Sequence, residues 1–456
     1  MGEVQPDHQQ QPPHVAVLAF PFGTHAAPLL NLVKRLAVAA PHITFSFFNT
    51  AKSNASIFGT NEENGKLDNV NAYNVDDGVP EGYVFTGKRQ EDIELFLSVT
   101  PQNFKKEIEK IVLETKKNIT CLMTDAFLSF AADMAEEMKI SWIPLWTAGA
   151  VALSAHVYTD LIRDTVGIDP TELQEEPLNF LPGMPSALRV KDLPFEVFGG
   201  NIFSRLLHQM GQTVTRATAI TMNSFEELDP SVIDDLQAKF KQCLSLGPFN
   251  LTSPPSSETD PHGCLPWLHD QKPASVAYVS FGTITTLPPN ELTALAEALE
   301  ESKVVFLWSL KDSQKANLPK GFLNRTSERG KVVPWAPQSQ ILGHTATGAF
   351  VTHCGWNSVL ESITGGAPMI CRPGFGDQNL NAQLVSNVWG IGIGAKDGKL
   401  SKDGVMNALE LVLHKEEGGK MREKVLALKE LAKQAVGPKG SSTKNFNTLL
   451  SVVSMS

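Results

Sequence analysis

Short apolar runs rich in β-branched and aromatic residues alternate along this chain with longer amphipathic stretches. Runs of this kind indicate strands, and apolar residues spaced three or four positions apart indicate helices. A helical crossover between successive strands is what a parallel sheet requires. The runs fall into two sets, at 14–20, 43–50, 119–127, 141–147 and 219–225, and at 275–281, 304–310, 348–353 and 368–373. The sequence therefore predicts an α/β protein with two parallel-sheet halves.

A change of composition separates the two halves. Residues 246–262 are rich in Pro, Ser and Thr and lack the periodicity of a packed element. The length of 456 residues fits two domains. We expect an N-terminal domain at 1–245, a linker at 246–262, a C-terminal domain at 263–440 and a closing amphipathic helix at 441–456. Because parallel sheets bind ligands beyond the carboxyl ends of their strands, the functional site is expected in the cleft between the domains.

Composition also excludes several classes of protein. The chain carries 39 Lys and Arg against 49 Asp and Glu, a formal charge of -10, so it lacks the basic surface of a nucleic-acid-binding protein. Its 5 cysteines are scattered without a C-x-x-C pair, which argues against a disulfide framework or a structural zinc site. The first 13 residues are polar, and no long uncharged apolar run follows. We expect a cytosolic monomer without a transmembrane segment.

Residues 390–395, GIGIGA, match the glycine pattern of dinucleotide-binding proteins. The stretch follows a helical pattern and does not open a helix, which is the context that this motif requires. The sequence also lacks the G-x-x-x-x-G-K-[ST], H-E-x-x-H and G-x-S-x-G motifs. Phosphate-loop, zinc-protease and serine-hydrolase chemistry are therefore disfavoured, and no metal site is predicted.

The segment from Trp335 to Gln378 carries the densest set of candidate functional residues. It predicts a strand, a tight turn that opens a helix, and then a second strand. His353, Asn357 and Ser358 lie at this turn, where free N–H groups at the start of a helix form an anion site suited to a diphosphate. Each residue alone also has an ordinary structural explanation, such as a strand-end histidine satisfied by its neighbours.

Other residues of the segment suit the remaining parts of a nucleotide sugar. Trp335 offers a flat face for a base, and Glu361 could accept hydrogen bonds from a ribose. Asp377 and Gln378 follow the second strand and could bracket sugar hydroxyls. In isolation Trp335 could be a core residue and Glu361 a surface charge, but together the set indicates a nucleotide-sugar site.

This 44-residue segment resembles the signature box of the plant family 1 UDP-sugar-dependent glycosyltransferases. The resemblance rests on W-A-P-Q at its start, H-C-G-W-N-S at 353–358, Glu361 and the closing D-Q. Stretches at 14–30, 77–85, 89–96, 125–135, 280–283 and 437–446 resemble the flavonoid 3-O-glycosyltransferase branch of that family. The resemblance implies the GT-B fold, in which two Rossmann-like domains face a cleft and the last helix crosses back to the first domain.

The resemblance also implies the donor site. A closing Gln, as at 378, usually accompanies glucose in this family, whereas His often accompanies galactose. No metal or other cofactor is implied. The implied contacts are Trp335, Ala336 and Gln338 for uracil, Glu361 for the ribose, Thr283, His353, Gly355, Asn357 and Ser358 for the diphosphate, and Thr147, Trp356, Asp377 and Gln378 for the sugar.

The expected reaction needs a base, because an acceptor hydroxyl must lose its proton as it attacks the anomeric carbon. His25 follows the first strand, and a neutral imidazole titrates in the right range. Asp125 directly follows the apolar residues ITCLMT at 119–124 and could fix the tautomer of His25. Alone, His25 could be an exposed histidine and Asp125 a helix cap. The resemblance assigns them as catalytic base and partner, in an inverting displacement in which helix-start donors stabilise the leaving UDP.

An acceptor pocket for a flat phenol should be mostly apolar with a few polar groups. The chain departs from the branch in three places: Gly374 replaces an aromatic residue, Val151 and Ala152 replace a polar pair, and Gly23 lacks a hydroxyl. The apolar pair predicts a less polar acceptor pocket, Gly374 a wider or looser wall on the sugar side, and Gly23 the loss of one possible sugar contact. Together they leave the acceptor and sugar preference open. The candidate acceptor contacts are Phe20, Gly23, Gln90, Phe127, His156, Phe203 and Phe375.

The predicted function is transfer of glucose from UDP-glucose to the 3-hydroxyl of a flavonol or anthocyanidin, giving a β-glucoside. The alternatives in the same class are a galactosyl or other sugar donor and a non-flavonoid phenol as acceptor. The alternative from another class is a carrier that binds UDP-sugar or flavonoid without catalysis, because a fold does not dictate a function.

Overall fold

The computed structural model describes residues 12–59, 67–88, 90–252, 259–283 and 285–455. The predicted strands all appear, and every pairing between neighbouring strands is parallel. The strands are β1 (His14–Leu18), β2 (Thr44–Thr50), β3 (Val70–Val75), β4 (Cys121–Asp125), β5 (Ser141–Trp146), β6 (Ile220–Met222), β7 (Cys243–Ser245), β8 (Val276–Ser280), β9 (Val305–Ser309), β10 (Gly330–Val333), β11 (Thr347–Thr352), β12 (Met369–Cys371) and β13 (Gly392–Gly394).

Two sheets divide these strands. The first has the order β3-β2-β1-β4-β5-β6-β7, and the second has the order β10-β9-β8-β11-β12-β13. Strands β3, β7, β10 and β13 have no counterpart among the predicted runs, and all four lie at sheet edges. The α/β prediction with two parallel-sheet halves is confirmed.

Helices connect the strands and cover both faces of each sheet. A short π-helical segment at 384–388 follows α17. The α-helices are α1 (Ala26–Ala39), α2 (Ala51–Phe58), α3 (Glu91–Val99), α4 (Gln102–Thr115), α5 (Ala131–Met138), α6 (Ala150–Val157), α7 (Thr159–Val166), α8 (Ile202–Thr213), α9 (Pro230–Lys239), α10 (Phe249–Thr252), α11 (Cys264–His269), α12 (Pro289–Glu301), α13 (Asp312–Lys315), α14 (Phe322–Arg325), α15 (Gln338–Leu342), α16 (Trp356–Gly365), α17 (Gln378–Gln383), α18 (Lys402–His414), α19 (Glu416–Ala435) and α20 (Ser441–Met455).

The burial pattern explains why the chain adopts these elements. All five residues of β1 are buried, as expected of a central parallel strand covered on both faces. In α1, Leu29, Leu32, Val33 and Leu36 recur at helical spacing and are all buried. This apolar side of α1 packs in one cluster with strand residues of the first sheet.

Strand order places the loops that matter most. In each sheet the order reverses beside the first strand, between β1 and β4 and between β8 and β11. Crevices for ligands form at such switch points. The register pairs Leu18 with Thr124 and Ser280 with Thr352, so the loops that follow these strands start side by side.

The C-terminal helix α20 packs on the first domain. Its Leu449 and Val453 are fully buried in the cluster that contains α1. The Arg35 guanidinium of α1 lies 4.5 Å from the centre of the Phe446 ring. Among the described residues, no helix combines the length and the apolar character needed to cross a bilayer.

The segment predicted as a linker contains α10. Near the start of this segment, Gly247 lies against the residues that follow strand β6 of the first domain. Residues 253–258 of the predicted linker, and residues 1–11 and 456 at the ends of the predicted domains, lie outside the described residues.

Candidate active site

His25 and Asp125 form a hydrogen-bonded pair at the carboxyl edge of the first sheet. His25 directly precedes α1, and Asp125 is the last residue of the neighbouring strand β4. The His25 Nδ1 atom lies 2.8 Å from Asp125 Oδ2. The Asp125 side chain is 1 % exposed and that of His25 is 19 % exposed. The backbone N–H of Phe127 donates to Asp125 Oδ1 at 2.9 Å, so both carboxylate oxygens are held.

The arrangement leaves one imidazole nitrogen for chemistry. Thr147, which follows β5, places its hydroxyl 3.2 Å from the same Nδ1 atom of His25. With Nδ1 facing Asp125 and Thr147, the Nε2 atom is the one that can accept a proton. Thr147, predicted as a sugar contact, therefore lies in the immediate surroundings of the base.

Aromatic rings surround the imidazole. The ring centre of His25 lies 5.3 Å from that of Phe20 and 4.5 Å from that of Phe127. Phe203, on α8, lies 6.3 Å from Phe127. Phe20 is only 2 % exposed and serves mainly as packing, whereas Phe127 and Phe203 are half-buried. The structure thus brings three of the predicted acceptor residues into one aromatic cluster that contacts His25.

The other predicted acceptor residues are more dispersed. His156 is buried behind Trp146, with ring centres 5.7 Å apart, and its Nδ1 has no hydrogen-bond partner among the described residues. Burial lowers the pKa of His156 to about 4, so its ring is neutral. Gln90 precedes α3 with a φ of 73°, and Gly23 has a φ of 65°.

Phe375 lies in the second domain and is 46 % exposed. Val151 and Ala152, the positions where the branch carries a polar pair, are buried in the core of the first domain. Their apolar character is therefore explained by packing.

His353 occupies a cradle between two glycines at the edge of the second sheet. A Cβ atom on Gly282 would lie 2.9 Å from the imidazole, and one on Gly355 would lie 2.5 Å from it. Only residues without a side chain let the backbone approach so closely. Burial lowers the pKa of His353 to about 4, and its Nδ1 has no partner among the described residues. A neutral imidazole here keeps one N–H donor for an anionic ligand. Thr283 follows Gly282 and is exposed.

Helix α16 begins directly after this cradle. Gly355 is its N-cap and provides no side chain to satisfy the first N–H groups. These groups, together with the positive end of the helix dipole, favour an anion. Asn357 lies in the first turn, and its Oδ1 accepts a hydrogen bond from Asn223 Nδ2 at 3.2 Å.

Trp356, predicted as a sugar contact, lies at the interface between the domains. Its Nε1 donates to the Asn223 carbonyl at 2.7 Å, and the side chain is 4 % exposed. A Cβ atom on Gly149 would lie 2.7 Å from the indole ring, so the ring packs closely against the first domain. A sugar contact for Trp356 stays a prediction.

A hydrogen-bond network fixes the carboxylate of Glu361. Gln338 Nε2 donates to Glu361 Oε2 at 2.6 Å and to Ser358 Oγ at 2.9 Å. Ser339, which the sequence analysis did not single out, donates to Glu361 Oε1 at 2.5 Å. Glu361 is thereby held in one orientation, as binding of a ribose hydroxyl pair requires.

Trp335 and Ala336 precede this network. Trp335 is 38 % exposed, which is high for a residue of its size and leaves a ring face for a base. Ala336 is buried, and Gln338, two residues later, begins α15. The structure therefore brings the residues predicted to bind the nucleotide base, the ribose and the diphosphate to one edge of the second sheet.

The loop between β12 and α17 faces the first domain. Gln378 Oε1 accepts hydrogen bonds from the backbone N–H groups of Gly374 at 2.8 Å and Phe375 at 3.2 Å. Its amide nitrogen is thus the group left for a ligand. Asp377 Oδ2 accepts from Asn381 Nδ2 at 2.9 Å.

Charged groups of the first domain also affect the pKa of Asp377. Desolvation raises the pKa of Asp377 to about 6, with a smaller upward contribution from Glu196 and a downward one from His25. Glu196 was missed in the sequence analysis, and its Oε2 is buried without a partner among the described residues. A position of the predicted sugar residues opposite the predicted catalytic base stays a prediction.

The chain matches the family model described as "UDP-glucoronosyl and UDP-glucosyl transferase" over residues 88–438. It is 54% identical over 455 residues to a flavonol 3-O-glucosyltransferase of Arabidopsis thaliana, covering 98% of this chain and 99% of the relative. It is also 54% identical over 446 residues to an anthocyanidin 3-O-galactosyltransferase of Actinidia chinensis var. chinensis, covering 96% and 97%.

A solved structure extends the similarity to three dimensions. The crystal structure of a UDP-glucose:anthocyanidin 3-O-glucosyltransferase in complex with UDP superimposes with a TM-score of 0.91 at 42% identity, covering 97% of this chain and 99% of that one. The two Rossmann-like domains of the chain therefore form the GT-B fold, and the predicted family and branch are confirmed. The chain belongs to the UDP-glucuronosyl and UDP-glucosyl transferase family.

Proposed function

We propose that the chain transfers glucose from UDP-glucose to the 3-hydroxyl of a flavonol or anthocyanidin, with inversion at the anomeric carbon. The observation that carries this proposal is the His25–Asp125 pair, whose 2.8 Å hydrogen bond leaves one imidazole nitrogen free in an aromatic environment. Relatives of the same length that are named as flavonoid 3-O-glycosyltransferases support it.

His25 acts as the base in this proposal. Its Nε2 accepts the proton of the flavonoid 3-hydroxyl as the oxygen attacks the anomeric carbon. The Asp125 carboxylate accepts the Nδ1–H bond at 2.8 Å and stabilises the imidazolium that forms. Because Asp125 is held at both oxygens, little reorganisation accompanies the proton transfer.

The displacement forms the new carbon–oxygen bond and breaks the bond between the anomeric carbon and the phosphate oxygen of UDP. The donor is α-linked, so attack from the opposite face gives a β-glucoside. The pair of electrons of the broken bond stays on UDP as negative charge. The first N–H groups of α16 and the neutral His353 ring stabilise that charge. No metal is required in this scheme.

The aromatic rings around His25 suit a flat polyphenol. Half-buried Phe127 and Phe203 offer ring faces and edges next to the base. We assign Phe20 a mainly supporting role beside these two rings. The further acceptor contacts in this proposal are Gln90, Gly23, His156 and Phe375. Gly374, where the branch usually carries a ring, removes that ring from the sugar side of the loop, and a Cβ atom there would lie 3.2 Å from Gln378 Oε1.

We assign the donor contacts by position. Trp335 and Ala336 bind the nucleotide base. Gln338 orients Glu361, which binds the ribose. The residues that surround the diphosphate are Thr283, His353, Gly355, Asn357 and Ser358. Asp377, Gln378, Thr147 and Trp356 line the sugar. The cytosolic location and the monomeric state remain predictions from the sequence.

Galactose is the second candidate for the sugar. One relative with 54% identity is named as a galactosyltransferase, so overall similarity does not separate the two donors. We favour glucose because residue 378 is Gln. A competition assay with equal UDP-glucose and UDP-galactose decides the donor, and a galactoside as the main product would overturn this assignment.

The experiment that tests the proposed function is product analysis. The protein is incubated with UDP-glucose and a flavonol in the presence of a chelator, and the product is identified by mass spectrometry and NMR. We expect a 3-O-β-glucoside. An α-linkage, another hydroxyl or a need for added metal would contradict the scheme, and UDP binding without any product over a panel of donors and acceptors would favour the carrier alternative.

A further inference from the structure

Asn223 connects the two domains at the donor site. It follows β6 in the first domain, is 5 % exposed, and was not singled out in the sequence. Its amide nitrogen donates to Asn357 Oδ1 at 3.2 Å, and its main-chain carbonyl accepts from Trp356 Nε1 at 2.7 Å. Both partners lie in the first turn of α16, where the diphosphate is expected.

The orientation of the Asn223 amide is fixed by the chain that joins the domains. The backbone N–H of Phe249 donates to Asn223 Oδ1 at 2.9 Å. A backbone N–H can only donate, so the group that faces it must be the amide oxygen of Asn223. The amide nitrogen of Asn223 is therefore the group that faces Asn357.

Gly247 makes this close approach possible. A Cβ atom at this position would lie 2.4 Å from Asn223 Oδ1 and 2.9 Å from the backbone nitrogen of Ser224. The Gly247 N–H donates to the Ser224 carbonyl at 2.8 Å, which holds the joining segment against the end of β6. The orientation of Asn223 is thus set by main-chain geometry.

Asn223 in turn fixes the orientation of the Asn357 amide. Because Asn223 donates this hydrogen bond, the group of Asn357 that accepts it must be the amide oxygen. The Asn357 Nδ2 atom is therefore turned away from Asn223. No described residue accepts a hydrogen bond from Asn357 Nδ2. Asn357 therefore keeps a free N–H donor beside the N–H groups at the start of α16.

We propose that Asn223 is a positioning residue, which orients the Asn357 amide so that its N–H donor faces the diphosphate of the bound UDP-sugar. The inference rests on the proposed function, because it assumes that the anion at α16 is the diphosphate. A phosphate oxygen accepts hydrogen bonds, so an amide turned the other way would present oxygen to oxygen.

The test is the substitution Asn223→Asp. One carboxylate oxygen can still accept from the Phe249 N–H, and the contact with Trp356 is unchanged because it uses the main chain. The second oxygen now accepts from Asn357 Nδ2, which turns the Asn357 oxygen toward the diphosphate. We expect the Kd for UDP, measured by calorimetry, to rise about tenfold.

Asn250→Asp is the matched control. Asn250 also donates to α16, to Thr364 Oγ1 at 2.6 Å, but Thr364 lies in the last turn of that helix. We expect this variant to bind UDP within about twofold of the wild type. A tenfold loss in this control as well would show that domain packing controls UDP affinity and would overturn the proposal.

A double-mutant cycle separates orientation from general disruption. The cycle uses the uncharged change Asn223→Ala, because a carboxylate at this position would repel the diphosphate whether or not the Asn357 amide is present. With Asn357 in place we expect Asn223→Ala to weaken UDP binding about threefold, and in an Asn357→Ala background by less than about 1.5-fold, because no amide remains to be oriented. The same threefold loss in both backgrounds would overturn the proposal, and this cycle decides it if Asn223→Asp does not fold.

UDP binding decides this inference independently of catalysis. A wild-type protein that binds UDP but glycosylates no flavonoid would contradict the proposed function and leave the Asn223 cycle interpretable. A wild-type protein that forms the glucoside, combined with unchanged UDP binding in Asn223→Asp, would overturn the Asn223 proposal alone.

Discussion

The proposed chemistry uses one of the two ring nitrogens of His25. The residues around the ring determine which nitrogen that is. Asp125 and Thr147 both face Nδ1 of His25, at 2.8 Å and 3.2 Å, so Nε2 is left for the acceptor. Asp125 itself is held by the backbone N–H of Phe127. The base thus depends on a carboxylate that cannot rotate away.

The substitution Asp125→Asn tests this dependence. The amide has nearly the same shape but carries no charge to stabilise the imidazolium. We expect kcat to fall by about 10²- to 10³-fold while the KM for UDP-glucose stays within about threefold, because all the assigned donor contacts except Thr147 lie in the other domain. Steady-state kinetics measure both values. Asp68→Asn, at an exposed position, is the control; a kcat for Asp125→Asn equal to that of this control would refute the assigned role.

At the scale of elements, the start of α16 is the part of the structure on which donor binding depends most. The strand β11, the turn at 353–355 and α16 bring His353 and unsatisfied N–H groups to one point. The fit is tight, since a Cβ atom on Gly355 would lie 2.5 Å from His353 Nε2. Gly355 has a φ of -61°, so space and not backbone strain restricts this position.

Gly355→Ala should therefore displace the His353 ring without unfolding the turn. We expect UDP affinity to fall by about tenfold or more, as measured by calorimetry. Gly394→Ala is the matched control, because a Cβ atom there meets nothing within 4 Å. Equal UDP affinity in both variants would show that the cradle around His353 does not contribute to binding.

The elements also show how far sequence reasoning reaches. All nine predicted apolar runs are strands, whereas β3, β7, β10 and β13 were missed, and these are the four edge strands of the two sheets. Central strands are buried on both faces and form continuous apolar runs. Edge strands are short or partly exposed, as in β3 with the sequence VNAYNV, and carry no such signal.

Site residues likewise divide into those that a local sequence pattern marks and those that it does not. His25, Asp125, His353 and Glu361 could be predicted because the first three follow or end strands and Glu361 belongs to the motif that begins at His353. Asn223 could not, because its role arises from contacts between the domains that no local pattern encodes, and no sequence motif marked Glu196. Trp356 was predicted as a sugar contact, and only the structure shows its hydrogen bond to the other domain.

At the scale of the whole molecule, the interface between the domains contains a second set of buried polar contacts. Trp389 Nε1, in the second domain, donates to Asp229 Oδ1 in the first at 3.2 Å. Asp229 is 6 % exposed, and its Oδ2 has no partner among the described residues. Burial raises the pKa of Asp229 to about 7.

This raised pKa predicts how stability depends on pH. Between pH 4 and 7 the folded protein keeps a proton on Asp229 that the unfolded chain has released, so this group makes the protein less stable as the pH rises. Asp229→Asn removes the charge. We expect the variant to match the wild type near pH 4.5 and to be more stable at pH 8 by about 1 to 3 kcal/mol.

Thermal unfolding at the two pH values measures this difference. Asp234→Asn, on the exposed face of α9, should show no pH-dependent gain. A gain for Asp229→Asn that is the same at pH 4.5 and pH 8 would show that Asp229 does not titrate in this range.

The central claim is that His25 removes the acceptor proton in a site that binds the donor independently of it. The most direct measurement compares His25→Ala with the wild type, using glucoside formation from UDP-glucose and a flavonol alongside calorimetric binding of UDP. We expect turnover to fall by about 10³-fold or more, with the Kd for UDP within about twofold and the exposed-site control His42→Ala unchanged. Turnover by His25→Ala within tenfold of the wild type would contradict the account.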